Sequence, residues 1–551
     1  MAASLGAQTM YDALQFSETN YYGTARSMSL GNAMTALGGD LGSVGINPAG
    51  SAVNAYGQLT LTPGLSTATG SSRWSTLDDG NFGSVSRDSR SRFIFPNTGF
   101  TMNFNTGNRS GIKRYTVGFV VNTTANHLAT DNAFGTNSRT SMSGAFATQA
   151  QGIDVSKLNV SDPYSTDFPW NTVLAHKSEM IATFDGYTDQ YLGVTEKVNE
   201  DGTISVAGPL NQRASTYSTG SRSDMILNFA MDISDKLYVG FNLGIPTMRY
   251  SYNEAFSEAA KDPEDFKLTF DGGGSTNFVS SSYQYAYQAD LDGVYAKLGL
   301  IYVPVKGVRL GAAIQTPTAY SINEKWQLSG AVNYSSSPKT SSQSPMGEWS
   351  YEMTSPWEAN FGAAFTFGTV GLVSVDYELT DYSSMRFRQY SDDLYAADPY
   401  LVVNRLNELF CGVSHSLRIG GEFKPVPSIA LRAGFSMKTS PEKTYTDNLG
   451  LTVTASDYEN FFDDFESGVY SLVKSKYSGG AARSYSLGVG YSSPGSFFAD
   501  LGFRLNKYPT EYRKPYADYI YDGDGKLETA SPLIRTDRKL CDILLTFGWR
   551  F

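Results

Sequence analysis

Apolar and polar residues change places one by one through stretch after stretch of this chain, and that rhythm restricts it to β-strands with two unlike faces. At the C-terminus Ile543, Leu545, Phe547, Trp549 and Phe551 hold every second position, with Asp542, Thr546, Gly548 and Arg550 on the opposite face. Leu237, Val239, Phe241, Leu243 and Ile245 do the same against Tyr238, Gly240, Asn242 and Gly244. So do Leu417, Ile419 and Phe423 against Arg418, Glu422 and Lys424, and Leu431, Ala433, Phe435 and Met437 against Arg432, Gly434 and Ser436. Charges at alternate positions fit poorly in a sandwich core. They suit a wet lumen behind a lipid-facing wall.

The same pattern marks about fourteen strands, near 57–65, 91–105, 114–122, 221–233, 236–252, 283–303, 308–328, 347–367, 371–380, 415–424, 429–438, 482–492, 497–506 and 538–551. Each is near the ~10 residues that a tilted membrane strand needs, and the number is even, as single-chain bacterial barrels require. The connections sort into two kinds. Short turns follow the even strands: 106–113, 234–235, 304–307, 368–370, 425–428 and 493–496. Long loops follow the odd strands: 66–90, 123–220, 253–282, 329–346, 381–414, 439–481 and 507–537. This alternation predicts an all-β transmembrane antiparallel barrel over 55–551, with short periplasmic turns and long extracellular loops, the longest at 123–220. Both termini then face the periplasm of a bacterial outer membrane. No stretch offers the ~18 consecutive apolar residues of a membrane helix.

Composition excludes other classes. A net charge of -11 leaves no basic surface for nucleic acid. Two cysteines and three scattered histidines, His127, His176 and His415, provide no metal site and no catalytic triad, so no enzyme, cofactor or metal is expected. Asp518, Asp522, Asp524 and Glu528 depart from a calcium loop, because Ile520 and Thr529 stand at ligand positions. Cys411 and Cys541 lie on strands that are not neighbours, and distance decides whether they form a disulfide. Residues 1–7 end on small residues, as the remnant of a signal peptide or an expression scar does.

Residues 8–54 do not alternate. They are rich in glycine and alanine, with Met28, Leu30, Met34 and Leu37 marking one face of a helix near 27–38. Small residues fit a crowded lumen, and a flexible periplasmic linker is the other reading. The run from Gly23 to Ala33, followed by Asp40 and by Asn47-Pro48-Ala49-Gly50, resembles the N-terminal hatch of the FadL/TodX family of outer-membrane channels for long-chain fatty acids and other hydrophobic compounds. The likeness continues at Leu310-Gly311-Ala312, Thr316-Pro317-Thr318, Val375-Asp376-Tyr377-Glu378, Ile419-Gly420-Gly421-Glu422-Phe423 and Leu431-Arg432-Ala433-Gly434-Phe435. The ending on Phe547, Trp549 and Phe551 resembles the assembly signal of bacterial outer-membrane barrels.

The resemblance implies passive uptake of hydrophobic small molecules through an external groove, a pocket above the hatch and a kinked third strand that opens sideways into the bilayer. Gly118 and Asn122 interrupt the third strand and are the lateral-exit candidates. Asn47, Pro48 and Ala49 form the hatch motif, with Asn47 expected to bond the third strand near Gly118. Three stripes at helical spacing offer groove residues: Trp170 and Leu174; Leu406 and Phe410, behind an Asp398 cap and Pro399; and Phe461, Phe462 and Phe465, with Val469 beyond. Expected partners are membrane lipid, lipopolysaccharide and a hydrophobic ligand. A different function remains open, that of a structural or shuttle subunit in an outer-membrane secretion or barrel-assembly complex, to which the long insertion 123–220 is suited. A general porin is disfavoured, because a hatch blocks bulk water.

Overall fold

A computed structural model describes residues 9–75, 81–184, 186–269, 273–389, 398–448, 450–467, 471–521 and 527–551. Residues 1–7, Val469, Asp522 and Asp524 lie outside the described residues.

Fourteen antiparallel strands follow one another round a closed ring. They are strand 1 Gln58–Trp74, strand 2 Ser86–Asn105, strand 3 Ile112–Asn126, strand 4 Leu210–Ile233, strand 5 Leu237–Ala260, strand 6 Ser275–Tyr302 and strand 7 Val308–Gln315, continued as Ala319–Tyr334. Strand 8 is Gly347–Thr354, continued as Glu358–Phe367; strand 9 is Gly371–Asp381, strand 10 Val413–Val426, strand 11 Ile429–Thr439, strand 12 Ala481–Ser492, strand 13 Phe497–Lys507 and strand 14 Ile534–Arg550. Strand 14 closes the ring on strand 1, from Gln58 opposite Arg550 to Trp74 opposite Ile534. The closing pair ends on a reciprocal bond: the Phe551 N–H donates to the Gly57 carbonyl at 3.0 Å, and the Gly57 N–H donates to the Phe551 carbonyl at 2.8 Å. Closure pairs the first strand with the last, so the sheet presents no free outer edge to hydrocarbon.

The predicted strands and short turns all appear. The long connections differ from expectation, because the wall rises well beyond a membrane's height. Strands 5 and 6 pair continuously from Leu237 opposite Tyr302 to Ala259 opposite Ser280, so most of 253–282 is sheet. Strands 1 and 2 likewise pair up to Ser72 opposite Ser86. Outward side chains show where the membrane ends. On strand 6, Tyr302, Leu300, Leu298 and Val294 are exposed apolar residues, and beyond them stand Asp292, Asp290, Gln288 and Gln284. Every strand adds exposed apolar residues to this outer belt, among them Leu61, Phe100, Val117, Leu227, Phe241, Phe361, Leu431, Leu501 and Leu545. Strands 7 and 8 break together where Pro317 and Pro356 withhold a backbone N–H; Ser355 and Thr318 bond each other across the gap.

Residues 10–54 form only short helices, Met10–Ser17 and Ala25–Ser29, then 3-10 turns Leu41–Gly45 and Pro48–Val53. The helix expected near 27–38 stops at Ser29, because Gly31 and Asn32 turn through φ of 63° and 58°. Gly31 lies so close to the wall that an added Cβ would stand 2.9 Å from the Phe435 carbonyl.

At the loop end two apolar clusters form. One joins the folded insertion, including helices Met142–Ala150 and Trp170–Lys177, to the tips of strands 4 to 7. The other joins helix Met10–Ser17 to helix Leu401–Phe410, Tyr458 and the upper walls of strands 5 to 8.

Candidate functional site

The inner face of the barrel at membrane height is polar and charged, and it is not water-filled. Segment 19–54 occupies it, and inward side chains from strands all round the ring bond that segment. Asn103 of strand 2 donates to the Asn54 carbonyl at 2.7 Å, Asn228 of strand 4 to the Pro48 carbonyl at 3.1 Å, and Asn242 of strand 5 to the Val44 carbonyl at 2.8 Å. Lys297 of strand 6 donates to the Gly45 carbonyl at 2.9 Å and Arg309 of strand 7 to the Leu37 carbonyl at 2.6 Å. Glu358 of strand 8 accepts from Thr19 at 2.7 Å, and Asp376 of strand 9 accepts the Thr35 N–H at 2.7 Å. Arg504 of strand 13 donates to the Tyr21 carbonyl at 2.9 Å and stacks on the Tyr22 ring at 4.0 Å. The inward charges Lys297, Arg309, Asp376 and Arg504 therefore face backbone rather than bulk water, while Arg418, Glu422 and Arg432, read from the sequence, are held in buried ion pairs. A lumen this narrow gains more by satisfying the segment's irregular backbone than by staying wet.

Ion pairs knit the same surface together. Arg432 bridges Glu422 at 2.7 Å and Asp500 at 2.5 Å, while Glu422 also holds Arg26 of the segment at 3.3 Å. Arg418 meets Glu378 at 2.5 Å and Arg504 meets Asp542 at 3.0 Å, all four side chains being buried. Such pairs cost more to break from one side than they contribute when intact.

Asn47 is fully buried at the centre of this contact. Its amide nitrogen donates to the carbonyls of Thr35 at 2.7 Å and Leu300 at 3.0 Å, and its Oδ1 accepts the Ala49 N–H at 3.1 Å, capping the turn that Pro48 opens. The expected bond to strand 3 near Gly118 is not made, because Asn47 faces strands 6 and 7. Glycines in the wall make room for it. A Cβ on Gly299 would stand 2.0 Å from Asn47 Oδ1, and one on Gly240 would stand 2.4 Å from the Ala49 nitrogen.

Strand 3 touches the segment elsewhere. Asn122 donates to the Leu41 carbonyl at 3.4 Å and accepts from Asn97 at 2.6 Å. Gly118 lies in regular register with Thr101 and Asn228. The irregularity falls just past Asn122, where a bulge between Thr123 and Ala125 shifts strand 3 against strand 4. Pairing of strands 2 and 3 ends at Asn97 opposite Asn122, although strand 2 runs on to Ser86 and strand 3 to Asn126. Beyond that point side chains span the seam: Arg92 donates to Asn126 at 3.2 Å and to the Gly220 carbonyl at 3.0 Å.

Of the three groove stripes, two meet at Tyr458 and the third lies apart on the insertion cluster. Leu174 is fully buried, and Trp170 packs on the insertion cluster, its ring 5.7 Å from Trp326. Leu406 and Phe410 are buried in the other cluster, where Phe410 meets Tyr445 at 5.3 Å and Tyr458 at 5.5 Å. Phe462 and Phe465 pack against Tyr458 at 5.8 Å and 4.8 Å, and Phe461 is exposed. Amphipathic spacing located the helices but not what their apolar faces meet, since packing and collecting surfaces share one pattern. The expected cap at Asp398 is not made on the helix: its N-cap is Tyr400, without a side-chain cap, and Asp398 accepts the Tyr400 N–H at 2.9 Å in the turn before it. Helix Met10–Ser17, whose neighbours the sequence gave no means of reading, places Met10, Ala13 and Phe16 in that second cluster, against Tyr250, Leu291, Ile322 and Met353. Cys411 and Cys541 are both free.

A cavity of about 410 Å³ opens at the short-turn end beneath the segment, among Arg26, Asp40, Arg309, Glu422, Lys424 and Arg550. Its charged lining suits water and ions, not an apolar guest. A void of about 10 Å³ lies under Phe16 beside Arg222, Tyr295 and Glu358, the size of one water. The aromatic surface lies higher, on the inner faces of strands 5 to 7, where Tyr252, Tyr283, Tyr285 and Tyr287 are partly exposed between the two clusters.

No family model matches the chain, and no curated protein matches it. Solved barrels resemble it along nearly their whole length. A Pseudomonas aeruginosa FadL homologue is 12% identical, with a TM-score of 0.48 over 97% of this chain and 99% of the other. The Pseudomonas putida toluene transporter TodX is 12% identical, with a TM-score of 0.46 over 97% and 99%. The Ralstonia pickettii toluene transporter TbuX is 14% identical, with a TM-score of 0.44 over 96% and 98%. Likeness this distant leaves function to be read from the barrel's own residues.

Proposed function

We propose that this barrel passively admits hydrophobic small molecules through a bacterial outer membrane, past a hatch formed by residues 8–54, as the FadL/TodX resemblance implies. The short-turn end and both termini then face the periplasm. The observation that carries this reading is the division of the inner surface. It is charged and bonded to the N-terminal segment at membrane height, and aromatic above it. A hydrated solute finds no open lumen, while an apolar one meets tyrosine and tryptophan faces.

An apolar guest stopped by a charged floor needs a way sideways. The unpaired seam between strands 2 and 3, beginning at Asn97 and Asn122, supports a lateral exit there, beside Leu41 of the hatch. Moving the hatch at that wall releases the Asn20 and Tyr22 N–H bonds to the Thr124 and Thr123 carbonyls, at 2.6 Å and 3.1 Å, and the long Asn122 contact to the Leu41 carbonyl, at 3.4 Å.

Replacing Asn47 and Pro48 together by alanine tests the hatch. The barrel is expected to stay heat-modifiable, because its fourteen strands close without the segment. Uptake of radiolabelled toluene into cells is expected to fall several-fold, because a hatch without its cap has no defined position. A mutant that folds and takes up toluene at the wild-type rate removes the hatch from the mechanism. The folded insertion also supports the reading as a subunit of a larger assembly. A wild type that transports nothing but purifies with a stoichiometric protein partner establishes that reading instead.

A further inference from the structure

The tyrosines above the hatch form a patterned surface, set by sheet register. Across strands 5, 6 and 7, Tyr252 stands opposite Tyr287 and Tyr287 opposite Trp326; one rung higher, Glu254 stands opposite Tyr285 and Tyr285 opposite Leu328. All of these side chains point inward, since Asn253, Gln284 and Ala286 between them are exposed on the outer face. The rings form a ladder, with Tyr252 and Tyr285 6.4 Å apart, Tyr285 and Tyr287 6.3 Å apart at 24°, and Tyr287 and Tyr250 6.1 Å apart.

The charges around this ladder are mainly acidic, with Arg513 beside Tyr252 and Arg538 beside Tyr250. Those acting on Tyr285 are the carboxylates of Asp12, Glu324 and Glu254; on Tyr287, Glu324 and Asp12; on Tyr283, Glu254. Glu324 accepts the Tyr287 hydroxyl at 2.6 Å and also that of Tyr351, and Glu254 accepts the Tyr252 hydroxyl at 3.3 Å. The cation that meets Glu254 is Arg513, at 3.8 Å, and its closer partner is Asp131, at 2.7 Å. Among the described residues, four carboxylates thus stand near the ladder with two guanidiniums, Arg513 and Arg538. Phenol rings held by carboxylate acceptors offer electron-rich faces in a setting of low dielectric, which attracts a cation and repels an anion.

We propose that this ladder is a binding site for hydrophobic cations, such as quaternary ammonium compounds or protonated aromatic amines, and that it discriminates against hydrophobic carboxylates. It rests on the uptake reading above for its biological use, but not for its chemistry. The positive group lies over Tyr285 between Glu254 and Glu324, and the apolar part continues along Tyr287 and Trp326. A fatty-acid carboxylate in the same place meets like charge on both sides.

Three probes that share a benzene ring and differ in charge test this: benzyltrimethylammonium, toluene and benzoate, titrated into the purified full-length barrel in nonionic detergent and followed by ligand-observed NMR. The cation is expected to bind at least ten-fold more tightly than benzoate, with toluene between. Glu254→Gln with Glu324→Gln is expected to abolish that order while leaving toluene unchanged, because the rings remain. Tyr285→Ala is expected to weaken the cation and toluene alike, and Tyr285→Phe to restore both. Unchanged heat-modifiability confirms that each variant folds. Equal binding of benzoate and the cation, or an order that survives the double glutamine variant, overturns the proposal. Toluene uptake in cells separates the two readings. Uptake without cation preference leaves the channel and removes the ladder's selectivity, and cation preference without uptake does the reverse.

Discussion

The two halves of the barrel's inner surface are built from the same strands and do opposite things. At membrane height, Asp376, Lys297, Arg418 and Arg504 face a segment of their own chain, and hydrogen bonds and ion pairs of fixed geometry surround the small apolar clusters that Met28, Leu30, Leu41 and Val44 make with the wall. Above the membrane, strands 5 to 8 present Tyr250, Tyr287, Ile322, Met353 and Tyr351, and the contacts are ring faces and methyl groups. Directional bonds specify one partner and exclude others, whereas non-directional apolar contact accepts guests of varied shape. One half therefore fixes its segment through directional bonds, and the other is covered by helix Met10–Ser17 and helix Leu401–Phe410 through apolar contact.

The largest expected test of this contrast removes one partner of a buried pair. Arg504→Ala leaves Asp542 charged and buried, and frees the Tyr21 carbonyl and the Tyr22 ring. Breaking such a pair costs about 3–5 kcal/mol. Hydrogen exchange in residues 19–54 is expected to accelerate by a few orders of magnitude while the loop-end clusters keep their protection. Equal loosening of both halves would show that they are not separate units.

Next comes Gly299→Ala, whose added methyl meets Asn47 Oδ1 at 2.0 Å and the Pro48 ring at 2.7 Å. Overpacking of this kind costs about 1–3 kcal/mol, and limited proteolysis near residues 43–54 is expected to become faster. Unchanged protease resistance would mean the closure yields as easily as the apolar half.

The smallest effect is a pH dependence confined to the upper half. Glu258, on the part of strand 5 beyond the membrane, is buried, accepts the Met142 N–H at 2.9 Å and the Gln212 amide at 2.7 Å, and leaves Oε2 unpartnered. Burial raises its pKa from 4.5 to about 7. The folded form keeps the proton that the open form releases, so the insertion's docking is most favourable below pH 4.5, weakens as pH rises to about 7 and is constant above. Glu258→Gln is expected to flatten this dependence and to slow hydrogen exchange in helix Met142–Ala150 at pH 8. A pH response that persists in the variant points to another group.

Much of the wall was legible in the sequence because its signal is local. Period-two runs gave fourteen strands, and the loop lengths between them gave the up-and-down order. The heights of strands 5 and 6 were not legible. Above the membrane their outward positions carry Gln284, Gln288 and Asp292 in place of leucine and phenylalanine, which erases the alternation while the pairing continues. The motif Asn47-Pro48-Ala49 marked a capped turn, as found, but its neighbours on strands 6 and 7 lie about 250 residues away in the chain. Gly118 and Asn122 were singled out together as interruptions of strand 3; Gly118 keeps regular register, and the register changes just past Asn122.

What the sequence by itself determined is which face of each strand meets lipid, since alternation with period two admits only one assignment once an apolar face must be outside. What only the tertiary structure decided is what the other face meets. Segment 19–54 lies against the charges and helix Met10–Ser17 against the upper apolar wall. Backbone pairing of strands 2 and 3 ends at Asn97 and Asn122, and tyrosines and carboxylates from three strands come together as one surface. An inward polar residue reads the same in sequence whether it faces water, backbone or a ligand. The difference comes from contacts between distant segments, which exist only after the ring has closed.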